Sequence, residues 1–304
     1  MKQFEQLVCV DNTRLTQEAL EKLSGYSQQK VRVFHDYPSN NQEIIDRISD
    51  ADAVLVSWKT RLDAEVIAAA KNLKYIGMCC SLIDKKSANV SIDAAEQQNI
   101  TVKGVRDYGD EGVVEFILAQ LISLAKGLGT HQWKPQQTEL KGKTLGIVGF
   151  GTVGQMLAKT ALAFGMKILY YSRSRKFSLE NEDVKYADLE QLLKESDVVS
   201  THLPRHTKLM SAHELGLMKP NCVFINTSVG PTFESEPLLT WLAQAGHFAI
   251  FDADGAFGVS ENLVNHPSVL YTPKTTGMTD AAFERLSQKV LANIEAYLSE
   301  QKHN

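Results

Sequence analysis

An α/β fold with two parallel sheets in succession is predicted by three features of the 304 residues. Short β-type runs alternate with helical patterns from the start, as parallel sheets with crossover helices require. A second such series opens beyond a long apolar helical pattern near 110–128. With 43% apolar and 22% charged residues, the chain can bury two cores and does not have the composition of a disordered protein.

In the first series QLVCV, VRVFH, AVLVSW, KYIGMCC and ITVKGV read as strands. TQEALEKL, NQEIIDRI, LDAEVIAAAKN and IDAAEQQ lie between them, with apolar residues at helical spacing. EGVVEFILAQLISLAKGLG is apolar on most faces, which predicts burial between domains or between subunits. TLGIVGFG, KILYYS, VVSTHLP, CVFINTS, AIFDAD and VLYTP supply the strands of the second series. TDAAFERLSQKVLANIEAYLSEQ then forms one amphipathic helix.

A net charge of -4 offers no basic face for nucleic acid. MKQFEQLVCVDNTR has no apolar stretch of signal-peptide length, and no segment reaches the roughly 18 apolar residues of a membrane helix. No membrane partner and a cytoplasmic location are expected. Cys9, Cys79, Cys80 and Cys222 show no metal-type spacing, and the adjacent pair is poorly placed for a mutual bridge, so reduced thiols and no metal are expected.

The segment from Lys143 to Gly154 reads KTLGIVGFGTVG, an apolar strand running into G-x-G-x-x-G and then into the helical QMLAKTALAFG. That context turns a weak pattern into a dinucleotide site. Gly149 permits the tight turn, Gly151 lets the pyrophosphate approach the backbone, and Gly154 allows helix and strand to pack closely. Thr152 and Val153 open the helix, whose N-terminal amides and dipole face the phosphates. The next strand ends in Ser172, Arg173, Ser174, Arg175 and Lys176, where an NAD site places a carboxylate for the ribose hydroxyls. Guanidinium groups there can pair with a 2′-phosphate, so NADP(H) is expected in preference to NAD(H). The bland alternative is a solvated basic loop.

GKTLGIVGFGTVGQMLAKTALAFGMKILYYSRSRK, LEQLLKESDVVSTHLP, LMKPNCVFINTSVG and VLYTPKTTGMT resemble, in order and spacing, the motifs of the D-isomer-specific 2-hydroxyacid dehydrogenase family. SRSRK resembles that family's NADPH-dependent glyoxylate/hydroxypyruvate reductases. The resemblance implies two Rossmann-like/flavodoxin-like parallel-sheet domains with a cleft between them that holds the active site. The substrate domain would comprise 1–112 and 278–304, with a dinucleotide-binding domain at 113–277 on which a homodimer is built. It also implies that His202, Leu203, Pro204, Thr227 and Asp252 contact the cofactor.

The family's three catalytic identities are replaced. Val229 stands where an Arg clamps the substrate carboxylate, and Lys274 where a His protonates the carbonyl oxygen. Phe257 falls near the position of the Glu that orients the His, with Glu261 a few residues later. A missing general acid costs about 10²–10⁴-fold in rate. Lys274 can restore proton donation without an orienting Glu; the alternative is an ordinary solvated lysine.

Arg106 and Lys59 follow strands that the family points at the cleft, and either can meet an acid group of the substrate. Arg106 can equally form a local salt bridge with Asp107, Asp110 or Glu111. Asn89 and Val90 resemble the family's pair ahead of a helix, in an 81–90 loop that is longer by a few residues and whose amides can hold the substrate. His266 reads as a surface residue, and His131 and His303 as parts of flexible segments. Two functions remain open: an NADP(H)-dependent oxidoreductase acting on a 2-oxo acid or related carbonyl, and a catalytically silent NADP(H)-binding regulator like the family's co-repressor branch.

Overall fold

Five apolar runs form the first sheet: β1 (Leu7–Cys9), β2 (Arg32–Val33), β3 (Ala53–Val56), β4 (Tyr75–Ser81) and β5 (Thr101–Val105). A computed structural model describes residues 3–301. Every pairing in this sheet is parallel, and the order is β2-β1-β3-β4-β5, the flavodoxin-like order. β1 and β3 are buried at every residue, as strands covered on both faces must be. β2 pairs over two residues of the expected VRVFH, because it lies at the edge with one neighbour and carries Arg32.

The intervening helices are α1 (Gln17–Lys22), α2 (Asn41–Ile48), α3 (Ala64–Ala69) and α4 (Ile92–Gln97). Thr16, Asn40 and Asp63 cap the first three by accepting a backbone N–H bond three residues on, so each start is written in the local sequence.

α5 (Asp110–Lys126) opens the second series. Its strands are β6 (Thr144–Val148), β7 (Lys167–Tyr171), β8 (Val184–Tyr186), β9 (Val198–Thr201), β10 (Val223–Asn226), β11 (Phe248–Phe251) and β12 (Val269–Tyr271). Its helices are α6 (Thr152–Ala163), α7 (Leu189–Glu195), α8 (Ala212–Leu217), α9 (Ser235–Leu242) and α10 (Glu261–Val264). The order β12-β11-β10-β9-β6-β7-β8 is Rossmann-like, and the winding direction reverses between β6 and β9. β8 had no distinct sequence signal: it is three residues long, pairs only with β7 and exposes Lys185. Val114, Ile117, Leu121 and Leu124 of α5 pack in one core with Leu157 and Ala161 of α6.

The closing helix α11 (Asp280–Glu300) is capped by Thr279. Leu286, Val290, Ile294 and Leu298 join Leu7, Cys9, Leu55 and Tyr75 in the core of the first sheet. The chain thus forms two compact units, one reaching Tyr108 and resuming at Thr279, the other Gly109–Met278. His131 is not in a loose segment: it contacts Thr130 Oγ1 at 2.9 Å and Pro267 O at 2.8 Å, with its ring against Phe248. His303 lies outside the described residues. All four cysteines are free and buried. No helix among the described residues is long and apolar enough to cross a membrane, and no group of three or more His, Cys, Asp or Glu there could hold a metal.

Candidate cofactor and active site

The glycine turn joins β6 to α6 at the switch point. Gly149 has φ +102°, and a Cβ there would stand 2.1 Å from the His202 carbonyl oxygen at the end of β9. A Cβ on Gly154 would meet Gly149 O at 2.5 Å, so this glycine lets the helix sit against the turn. Gly151 differs: nothing lies within 4 Å of its ideal Cβ position. It is the N-cap of α6, and no side chain caps it. Ahead of Thr152, Val153 and Gly154 the helix therefore has open space and uncapped N–H groups, which suit an anion.

Opposite the turn, His202 N donates to Val148 O, and its half-buried ring lies 3.0 Å from Ser200 Oγ. Burial lowers its pKa from 6.5 to about 4, so the ring is neutral at pH 7. Leu203 N donates to Ser228 Oγ, which donates to Thr201 O. Asn226 at the end of β10 organises this region. Its amide donates to Gly230 O and Gly255 O, and its Oδ1 accepts from Thr201 Oγ1, Thr232 Oγ1 and Ser228 N. Next to it, Thr227 Oγ1 is buried with no hydrogen-bond partner among the described residues. Pro204 is half-buried beside this group.

At the end of β7 the basic loop holds its own internal structure. Ser172 Oγ donates to Ser174 O. Arg175 is engaged by Glu180 through two bonds, Nε to Oε1 at 2.8 Å and Nη2 to Oε2 at 2.7 Å. Arg173 is exposed and in no ion pair among the described residues.

The three positions of the altered catalytic set come together within the second unit. They lie on the loops after β10, β11 and β12. Gly230 N, beside Val229, donates to Asp254 O, and Phe257 N donates to the same carbonyl. Ala253 N donates to Lys274 O. Asp252 is buried and accepts from Gly255 N, Thr276 N and Thr276 Oγ1. Desolvation raises its pKa against those bonds. Its oxygens thus hold the loop of Lys274 in place. The Lys274 side chain is exposed, as is Phe257, and Val229 is half-buried.

The substrate candidates of the first unit are arranged otherwise than expected. Arg106 forms no local salt bridge among the described residues. Its Nε and Nη2 donate to Leu82 O and Ile83 O, because the loop after β4 brings those carbonyls within reach. Asn89 spends its amide on Ser57 O and Thr60 O, tying the 81–90 loop to the one after β3. Lys59 Nζ lies 4.8 Å from the centre of the Tyr37 ring. Sequence reasoning missed Asn226, Thr201, Ser228 and Thr232; the available signal was a polar cluster at the ends of two otherwise apolar-rich strands, both fully buried.

These residues fit a dinucleotide. Gly151 leaves the room a pyrophosphate needs, α6 offers free donors, and Thr227 has an unsatisfied hydroxyl just past the end of β10.

Residues 117–275 match a family described as D-isomer specific 2-hydroxyacid dehydrogenase, NAD binding domain. The chain is 32% identical over 280 residues to a glyoxylate reductase of Thermococcus litoralis, covering 84% of this chain and 82% of that one. It is 28% identical over 285 residues to a hydroxypyruvate reductase of Blautia hydrogenotrophica, covering 84% and 85%. Among solved structures it resembles an acyclic imino acid reductase in complex with NADPH and D-Arg. That likeness has a TM-score of 0.83 and 26% identity, over 97% of each chain. A family match over more than half of the residues agrees with the cofactor turn and the order of the motifs, and the chain belongs to the D-isomer-specific 2-hydroxyacid dehydrogenase family.

Proposed function

We propose that the protein is an NADP(H)-dependent oxidoreductase that reduces the carbonyl of a small 2-oxo acid, with Lys274 as proton donor. The observation that carries this reading is the open, uncapped glycine turn in the same unit as the Val229, Phe257 and Lys274 loops. Glyoxylate and hydroxypyruvate, which name two of the relatives, are the first substrates to try. A bound reduced nicotinamide supplies the hydride. Gly149, Gly151 and Gly154 admit the pyrophosphate, and Thr152, Val153 and Gly154 lend it the amides of α6. Arg173, with the Ser172–Ser174 loop, pairs with the 2′-phosphate. Asp252 and Thr276 hold the backbone that presents Lys274, whose ammonium protonates the developing alkoxide.

NADPH oxidation with a panel of 2-oxo acids, with NADH in parallel, tests this. The expected result is turnover favouring NADPH, with Lys274→Met lowering kcat by about 10²–10⁴-fold. Tight NADPH binding without turnover of any substrate would leave the silent regulator as the reading.

One observation favours a second substrate class. With Phe257 and Lys274 in place of the Glu–His pair, proton delivery to a ketone oxygen rests on the exposed Lys274 alone. A protonated imine already carries its proton, so reducing its carbon requires no general acid. The imino acid reductase neighbour is consistent with that chemistry. Adding ammonia or an alkylamine to the 2-oxo acid assay distinguishes the two. Rates that rise with amine, and amino acid product, identify an imine; rates indifferent to amine identify the carbonyl.

A further inference from the structure

SRSRK carries two arginines, and the fold treats them differently. Arg175 is held by the bidentate bond to Glu180 and lies 4.7 Å from the centre of Phe177 and 5.2 Å from that of Tyr186. Glu180 is fixed from another side by Tyr170, whose hydroxyl donates to Oε1 at 2.8 Å. Tyr170 is fully buried, accepts from Lys176 N, and stacks at 4.1 Å on Phe150 of the glycine turn. A continuous set of contacts thus runs from the cofactor turn through Phe150 and Tyr170 to Glu180 and Arg175. Pairing with Arg175 lowers the Glu180 carboxyl below the usual range, so it is ionised at neutral pH. A phosphate dianion approaching Arg175 meets that carboxylate, whereas Arg173 is exposed and in no ion pair among the described residues.

We propose that Glu180 is a specificity-determining residue: it withholds Arg175 from the cofactor's 2′-phosphate, which is left to Arg173 and the Ser172–Ser174 loop. This rests on the NADP(H) reading above, in which the adenosine ribose lies at the end of β7. The device limits NADPH preference in a loop whose sequence alone advertises two phosphate-binding arginines. A Glu180→Gln change keeps an oxygen for Tyr170 and removes the charge that holds Arg175.

The test is equilibrium binding of NADPH and NADH to the full chain, with melting temperature recorded alongside. Glu180→Gln is expected to tighten NADPH by about tenfold, one charge-assisted bond at a solvated site, and to leave NADH within about twofold. Adding Arg175→Ala to Glu180→Gln is expected to cancel that gain, assigning it to the released guanidinium. Weaker NADPH binding by Glu180→Gln would overturn the proposal, since Glu180 would then be orienting Arg175 as a phosphate ligand. Equal losses for both cofactors with a lower melting temperature would also overturn it, marking Glu180 as structural support only. Arg173→Ala separates this failure from that of the parent reading. If the wild type shows no preference for NADPH and Arg173→Ala changes neither cofactor, the 2′-phosphate does not lie here, and both fall.

Discussion

The α-carbon of Gly149 faces the main-chain carbonyl of His202 so closely that a Cβ there would stand 2.1 Å from the oxygen. This contact joins the two strands between which the sheet reverses direction. With φ at +102° as well, Gly149→Ala is expected to destabilise the second unit by about 3 kcal/mol or more, read by urea denaturation. Gly151→Ala has space for its methyl and an ordinary φ of -82°, so stability should stay within about 1 kcal/mol. NADPH affinity should nevertheless fall at least about tenfold, because the methyl occupies the approach of the pyrophosphate. Unchanged affinity would remove Gly151 from the site.

Asn226 ties the end of β9 to the loops after β10 and β11 through both ends of its amide. Asn226→Ala leaves buried carbonyls and hydroxyls unpaired and is expected to cost about 2–4 kcal/mol. Asn226→Asp keeps the acceptor but loses both donated bonds, and should be destabilised as well. A shift in the urea midpoint at constant slope would check both variants.

His202 makes folding sensitive to acid. Its folded pKa of about 4 lies below the ordinary 6.5, so the folded state prefers the neutral ring. The stabilisation is fully present above about pH 6.5 and is lost as pH falls toward 4, by at most about 3 kcal/mol. His202→Asn should flatten that part of the stability profile. A wild-type profile already flat between pH 6.5 and 4.5 would contradict the neutral ring.

The cysteines should be silent toward thiol reagents in the native state. Burial pushes the Cys9 thiol up to about 12 and raises Cys79 and Cys222 well above the ordinary value. Cys80 is buried as well. Release of a chromophore by a disulfide reagent should be absent before denaturant is added and should account for four thiols afterwards. Fast reaction of even one native thiol would reveal local opening of a core strand.

The sequence by itself determined the parallel α/β class, because buried strands and their covering helices leave periodic apolar runs. It also determined the cofactor turn, because only glycine tolerates the φ of position 149 and the close approach at position 154. The substitutions at Val229, Phe257 and Lys274 were equally legible against the family's motifs. Tertiary structure alone decided where the charged side chains go. Arg106 finds two carbonyls of a loop more than twenty residues back, and Arg175 is taken by Glu180 across a turn with no helical spacing. Asn226 bonds to the last residue of β9 and to the loops after β10 and β11, a role its neighbours in sequence do not announce. The physical reason is that polar partners are chosen by distance and geometry in space. Those are set by aperiodic loops, whereas the strands and the glycine turn are constrained by their own local backbone.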